Sequence, residues 1–150
     1  MKNFNLKNIS LLTFLIVAIS FITLKSDTQR TQEDGISFSH IDFKAAKALA
    51  KKENKLIFID AYTTWCGPCK LMSKTVFKEK AVGDYYNAHY INLKVDMETG
   101  EGLFLGKKYN VTGYPTFLYI KPDGSLVKKT MGATSSDKFI GYAKQAKKSS

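Results

Sequence analysis

Two cysteines separated by two residues constrain this chain more than any other feature. Cys66 and Cys69 are the only cysteines in the 150 residues, and they follow the apolar run at residues 56–59. The run predicts a buried strand, and the residues after the first cysteine predict a helix. A Cys-x-x-Cys pair at such a junction is typical of a redox dithiol, because the start of a helix favours a thiolate.

A zinc site is the main alternative for a Cys-x-x-Cys pair. Structural zinc takes four protein ligands. The chain has no second cysteine pair, and His40 and His89 lie far from the motif in the sequence. We therefore expect no metal site.

The residues around the pair resemble the thioredoxin family. The string Trp65-Cys66-Gly67-Pro68-Cys69-Lys70 is the family's active-site sequence, and Asp60 stands six residues before Cys66, as the family's buried acid does. Gly113-Tyr114-Pro115-Thr116 is similar to the family loop whose proline is cis and faces the dithiol. The resemblance covers about residues 44–147. It implies an α/β thioredoxin fold, with a mixed central sheet flanked by helices on both faces.

The resemblance also implies the roles of the active-site string. Cys66 attacks a substrate disulfide, and Cys69 then attacks Cys66 to release the reduced substrate and close a redox disulfide. Gly67 lets the loop turn tightly, and Pro68 begins the helix, where its missing N–H is tolerated. No cofactor is implied, because the electrons pass through the cysteine pair.

Asp60 lies in an apolar strand, and the resemblance assigns it as the proton acceptor for Cys69. A buried carboxyl without a partner has a raised pKa, which suits that role. The alternative is a strand-end aspartate satisfied by backbone donors. Asn92 occupies the position where many thioredoxins carry a lysine paired with this acid, so we expect Asp60 to lack a cationic partner.

Three further residues are candidates for substrate binding. Trp65 is expected to shield the dithiol and contact substrate, although a purely core role is the alternative. The Tyr114–Pro115 bond is expected to be cis, which leaves the Tyr114 backbone free to pair with an extended substrate. An ordinary trans proline at the start of a strand is the alternative.

The N-terminus predicts export. Lys2 and Lys7 precede residues 9–24, which carry no charge, as in a secretory signal. Sixteen helical residues span about 24 Å, less than the ~30 Å of a membrane core, and a cleaved signal and a retained anchor both remain open. We predict a signal peptide or anchor at residues 1–24, a linker at 25–35 and the thioredoxin-like domain at 36–150.

The predicted element order is β-α-β-α-β-α-β-β-α, in which the two helical pieces between the second and third strands count as one element. Strands are expected at residues 36–38, 56–61, 90–96, 116–120 and 125–131. Helices are expected from Ser39 or Asp42 to Glu53, over 66–77, over 79–87 with a break at Gly83, over 102–109, and after Ser135 or Ser136.

The charge pattern limits the classes of partner that we expect for this chain. The formal net charge is +10, but the lysines are not interleaved with aromatic residues as on a nucleic-acid platform, so no nucleic acid is expected. Membrane contact is expected only through a retained N-terminal segment. The resemblance implies disulfide-containing client proteins and an upstream electron donor, such as a membrane thiol reductase.

The predicted function is a protein-disulfide reductase of the periplasm or cell envelope. The surrounding residues look most like exported thioredoxin-like proteins, including the soluble C-terminal domain of the membrane disulfide reductase. Gly67 and Pro68 resemble the reducing members of the family, whereas oxidising members usually have a histidine between the cysteines. An oxidase or isomerase of exported proteins, and a redox-silent binding module, are the alternatives.

Overall fold

The computed structural model of the protein describes residues 34–150. The predicted signal or anchor at 1–24 and nearly all of the predicted linker lie outside these residues. Among residues 34–150, no helix is long and apolar enough to cross a membrane.

Four strands form one mixed sheet. They are β1 (Leu56–Tyr62), β2 (Tyr90–Asp96), β3 (Thr116–Ile120) and β4 (Leu126–Met131). Their order across the sheet is β2-β1-β3-β4. Strand β1 pairs parallel with β2 and antiparallel with β3, and β3 pairs antiparallel with β4. The predicted mixed sheet is confirmed, and β1 lies in its interior.

In the described part of the chain, five α-helices flank the sheet. They are α1 (Phe43–Glu53), α2 (Gly67–Lys74), α3 (Lys80–His89), α4 (Glu101–Lys108) and α5 (Ser136–Lys148), and a short 3-10 helix (Val76–Lys78) follows α2. Asp42 caps α1 as predicted, since its carboxylate accepts a hydrogen bond from the Ala45 N–H at 2.7 Å.

The helices cover both faces of the sheet, as expected. Alternate residues of a strand point to opposite faces. Ile57 and Ile59 of β1 pack with residues of α1 and α4, whereas Phe58 packs with residues of α2, α3 and α5. Asp60 stands two residues after Phe58 in the strand, so its side chain points to the same face of the sheet. This is the face covered by α2.

The strand predicted at residues 36–38 is wrong. This segment is extended but lies outside the sheet. The Ile36 N–H donates to the Phe77 carbonyl, and the Ser39 N–H donates to the Asn92 carbonyl, both at 2.8 Å. The segment thus crosses from the 3-10 helix to β2 instead of following one strand.

The helix break predicted at Gly83 is also wrong. Helix α3 runs through Gly83 without interruption. The residue is glycine because a Cβ there would meet the backbone of Gly35. Glycine at this position therefore permits the extended stretch at residues 35–39, the N-terminal segment, to lie directly against α3.

Candidate active site

The two cysteines lie at the N-terminus of α2. They form a disulfide with their Cα atoms 5.3 Å apart, and both side chains are buried. Cys66 is the N-cap of the helix, and its Sγ accepts a hydrogen bond from the Cys69 N–H at 3.1 Å. Pro68 stands in the first turn. The helix start therefore directs an N–H donor at the Cys66 sulfur, which favours a thiolate when the disulfide is reduced.

Asp60 is buried in β1, and Lys94 is its partner. Lys94 lies opposite Asp60 in the parallel pairing of β1 with β2. Its Nζ donates to Asp60 Oδ2 at 2.8 Å, while Asp60 Oδ1 has no hydrogen-bond partner among residues 34–150. The expectation that Asp60 lacks a cationic partner is wrong.

Asn92 takes a different place from the one expected. It lies opposite Phe58, two residues before Lys94 on the same face of β2. Its side-chain amide donates to Asn87 Oδ1 at 3.1 Å and, more weakly, to the Ser37 carbonyl at 3.4 Å. Asn92 therefore holds the N-terminal segment and α3, and it has no hydrogen bond with the buried acid.

Burial and the lysine act on Asp60 in opposite directions. Burial raises the pKa of the carboxyl above its ordinary value of 3.8, and the Lys94 ammonium offsets part of that rise. The larger effect is burial, so the pKa remains raised. A carboxylate with a raised pKa is a stronger base and accepts a proton more readily.

Trp65 is on the surface beside the disulfide. Its side chain is 65% exposed, which excludes a purely core role. The indole N–H donates to both carboxylate oxygens of Glu98 at 3.0 Å, and the ring meets the Tyr114 ring edge-on with centroids 5.9 Å apart. These contacts hold an aromatic surface next to the cysteines.

The Tyr114–Pro115 peptide bond is cis, as predicted. The loop is closed by the Thr116 hydroxyl, which donates to the Gly113 carbonyl at 2.6 Å. The Pro115 carbonyl accepts a hydrogen bond from the Gly132 N–H at 2.8 Å. The loop therefore presents Tyr114 next to Trp65 while its other side is tied to the end of β4.

Residues 43–147 match the family described as the thioredoxin-like domain. The protein belongs to the thioredoxin-like family. With its Cys66–Cys69 pair, it is a thioredoxin-like thiol-disulfide oxidoreductase.

Several relatives are similar to this thioredoxin-like protein over most of its domain. One is a candidate disulphide-isomerase from Bacteroides thetaiotaomicron, known from a solution structure. Its sequence is 47% identical, the two structures superpose with a TM-score of 0.70, and the match covers 79% of this chain and 98% of that one. Thioredoxin H-type from Oryza sativa subsp. indica is 38% identical over 96 residues, or 64% of this chain and 73% of that protein. Thiol:disulfide interchange protein DsbD from Pseudomonas fluorescens is 33% identical over 88 residues, which cover 58% of this chain but 15% of DsbD.

The thioredoxin-like site contains three residues that the sequence reasoning missed. Lys94 pairs with the acid, Glu98 holds Trp65, and Ser73 accepts a hydrogen bond from Lys94 at 2.6 Å. Only Lys94 had a usable signal, because it stands two residues after Asn92 in the alternating pattern and therefore lies on the same face of β2. Ser73 and Glu98 are ordinary surface residue types in the sequence.

A narrow cleft opens beside the second cysteine of this thioredoxin-like site. Its volume is about 290 Å³, and its walls include Tyr62, Thr63, Cys69, Ser73 and Lys94. The cleft thus borders both the resolving cysteine and the cation of the ion pair. Within residues 34–150, no three His, Cys, Asp or Glu side chains come together as metal ligands.

Proposed function

We propose that this protein is a reductant of protein disulfides outside the cytoplasm. The surroundings of Cys66 Sγ support reduction, and not oxidation, of the client disulfide. Among the described residues, this sulfur accepts one hydrogen bond, from the Cys69 N–H. Strongly oxidising dithiols stabilise their reduced form. One backbone donor gives the thiolate limited stabilisation, and this favours a reducing pair.

The reaction proceeds by two thiol–disulfide exchanges. The Cys66 thiolate attacks one sulfur of the client disulfide, and the other client sulfur leaves as a thiolate that takes a proton from water. Cys69 then loses its proton to the Asp60 carboxylate and attacks Cys66. The second client sulfur leaves, and the Cys66–Cys69 disulfide found in the structure results.

Client binding is proposed at the surface next to the disulfide. Trp65 offers an exposed ring, and the Tyr114 backbone, which precedes Pro115, lies beside it. An extended segment of a client that pairs with this backbone would bring its disulfide to Cys66. The proposed clients are therefore proteins with accessible disulfides in extended segments.

The electron supply and the location are part of the same proposal. Lys2, Lys7 and the uncharged residues 9–24 have the pattern of an export signal or anchor. A reductant in an oxidising compartment needs a source of electrons. The proposed source is a membrane thiol reductase, as the family resemblance implies.

The equilibrium reduction potential of the Cys66–Cys69 pair tests the direction. The full chain is equilibrated with defined dithiol buffers, and the fraction oxidised is measured by thiol alkylation. We expect a value near the thioredoxin value of about −270 mV, whereas a value between about −120 and −180 mV would identify an oxidant or isomerase.

Disulfide isomerisation is the second candidate function. It is favoured by the 47% identity with the candidate disulphide-isomerase from Bacteroides thetaiotaomicron. Isomerisation needs the attacking thiol, whereas net reduction also needs the resolving thiol. A Cys69→Ser variant distinguishes the two functions, because a reductase accumulates mixed disulfides on Cys66 and stops, whereas an isomerase continues to rearrange a scrambled substrate.

A further inference from the structure

Ser73 connects the cysteine helix to the buried ion pair. It lies on α2, one turn after Cys69. Its hydroxyl donates to the Cys69 carbonyl at 3.0 Å and accepts from Lys94 Nζ at 2.6 Å. Lys94 in turn donates to Asp60 Oδ2 at 2.8 Å. Three hydrogen bonds therefore run from the acid to the backbone of the resolving cysteine.

The Lys94 ammonium has room to move away from this position. It is a flexible side chain that is 29% exposed, and it borders three open spaces. These are the cleft of about 290 Å³ beside Cys69, a cavity of about 560 Å³ lined by the N-terminal segment, and a cavity of about 210 Å³ lined by Phe38, Ser73 and Phe77. The Tyr62 ring lies 4.7 Å from Nζ, and such a contact attracts a cation without fixing its direction. Ser73 supplies a directed acceptor opposite Asp60.

We propose that Ser73 is a positioning residue whose hydroxyl holds the Lys94 ammonium against the Asp60 carboxylate and ties that ion pair to the turn that carries Cys69. The proposal rests on the proposed function, in which Asp60 receives the proton of Cys69. In that step the Cys69 S–H bond breaks and the proton passes to Asp60. The sulfur electron pair then forms the bond to Cys66 as the bond between Cys66 and the client sulfur breaks, and the client leaves as a thiolate. Ser73 acts only through Lys94.

Other titratable groups line the spaces beside the ion pair. Lys70 and Lys74 of α2 line the cleft, and Asp34, His40 and Lys78 line the cavity of about 560 Å³. Within residues 34–150, none of these five is hydrogen-bonded to Asp60. Among the charged groups of the described residues, Lys94 is the one in hydrogen-bond contact with the carboxylate, so the position of its ammonium influences the acid more than that of any other charge.

Loss of the Ser73 hydroxyl should therefore make Asp60 harder to ionise. In Ser73→Ala, the ammonium has one directed partner instead of two and spends time in the open spaces beside it. The attraction on the carboxylate weakens, and the pKa of Asp60 rises further. The rise should be smaller than in Lys94→Met, where losing an adjacent opposite charge shifts a carboxyl by about 1–3 units.

The test is a carbon-13 NMR titration of the Asp60 carboxyl in the full chain. The disulfide form is used, because the cysteines then have no proton to lose. We expect the Asp60 midpoint at higher pH in Ser73→Ala than in the wild type, and a near-normal midpoint in Ser73→Thr, which restores a hydroxyl. Thr75→Ala is the matched control, since Thr75 makes the same type of bond to the Leu71 carbonyl without reaching Lys94. Its midpoint should equal the wild-type midpoint.

The outcomes separate this proposal from the proposed function. If Ser73→Ala titrates like the wild type, Ser73 does not position Lys94 and the inference is overturned, whether or not Lys94→Met moves the midpoint. An equal shift in Thr75→Ala also overturns it, because a general change in α2 would then be the cause. A wild-type protein that reduces no disulfide would refute the proposed function, whereas the titration would still decide the role of Ser73.

Discussion

Asp60 should make the stability of the protein depend on pH. Its pKa is raised in the folded state, mainly by burial. The folded protein therefore binds this proton more tightly than the unfolded chain does, and stability falls as pH rises from about the unfolded pKa through the folded one. We expect Asp60→Asn to become increasingly stable relative to the wild type over that interval. Each unit of pKa difference corresponds to about 1.4 kcal/mol.

Urea denaturation of the disulfide form at a series of pH values measures this difference. Asp123→Asn is the control of opposite sign, because hydrogen bonds from Ser125 lower the pKa of that exposed carboxyl. It should show no gain over the wild type at neutral pH. Parallel stability curves for Asp60→Asn and the wild type would contradict the assignment of a raised pKa.

The wrong prediction at Asn92 shows which part of a buried ion pair can be predicted from the sequence. Asn92 and Lys94 lie on the same face of β2, because side chains two residues apart point the same way. Alternation therefore predicts the face correctly, but not which of the two residues lies opposite Asp60. That choice depends on the register between β1 and β2, which puts Lys94 opposite Asp60. The register is a property of the assembled sheet.

Helix α3 and the N-terminal segment approach each other at Gly83 and Gly35. A Cβ at position 83 would meet the Gly35 backbone, which has no side-chain freedom with which to yield. We expect Gly83→Ala to destabilise the protein by about 1–3 kcal/mol or more, as overpacking does. Equilibrium urea unfolding measures the change.

Gly141 provides the matched control on α5. It also lies inside a helix, but no other part of the described chain would come within 4 Å of a Cβ at this position. Gly141→Ala should therefore stabilise the protein by up to about 1 kcal/mol, since alanine has the higher helix propensity. A similar gain in Gly83→Ala would show that Gly35 does not pack against α3.

The contacts of the N-terminal segment explain why the sequence predicted some elements and not others. Strands β1, β2 and β3 follow from their apolar or alternating patterns, and the cap of α1 follows from Asp42. The segment at 36–38 has the pattern of a strand, but its bonds go to Phe77 on one side and Asn92 on the other. Local pattern cannot distinguish these cases, because the difference lies in partners distant in the chain.

At the scale of the molecule, the sheet separates two groups of buried side chains. On one face, the buried side chains that the strands contribute are mostly aliphatic. The cluster on the other face contains the aromatic residues Phe58, Tyr86, Phe117, Tyr119 and Phe139. The cysteine helix α2 belongs to the aromatic side, through Met72. The continuous apolar run of β1 and the family resemblance predicted two covered faces, but which helix covers which face required the three-dimensional structure.

The interior position of β1 has a consequence for hydrogen exchange. Residues Ile57 to Ala61 have no exposed surface, and strands pair with β1 on both sides. Their amides should exchange with solvent only when the whole domain unfolds, whereas α4, with exposed Leu103 and Phe104, should exchange through local opening. Exchange followed by mass spectrometry tests this order, and equal rates in β1 and α4 would contradict it. Tyr62 ends β1 four positions before Cys66, so the thiol pair is joined to the slowest-opening part of the chain and should stay assembled for as long as the domain is folded.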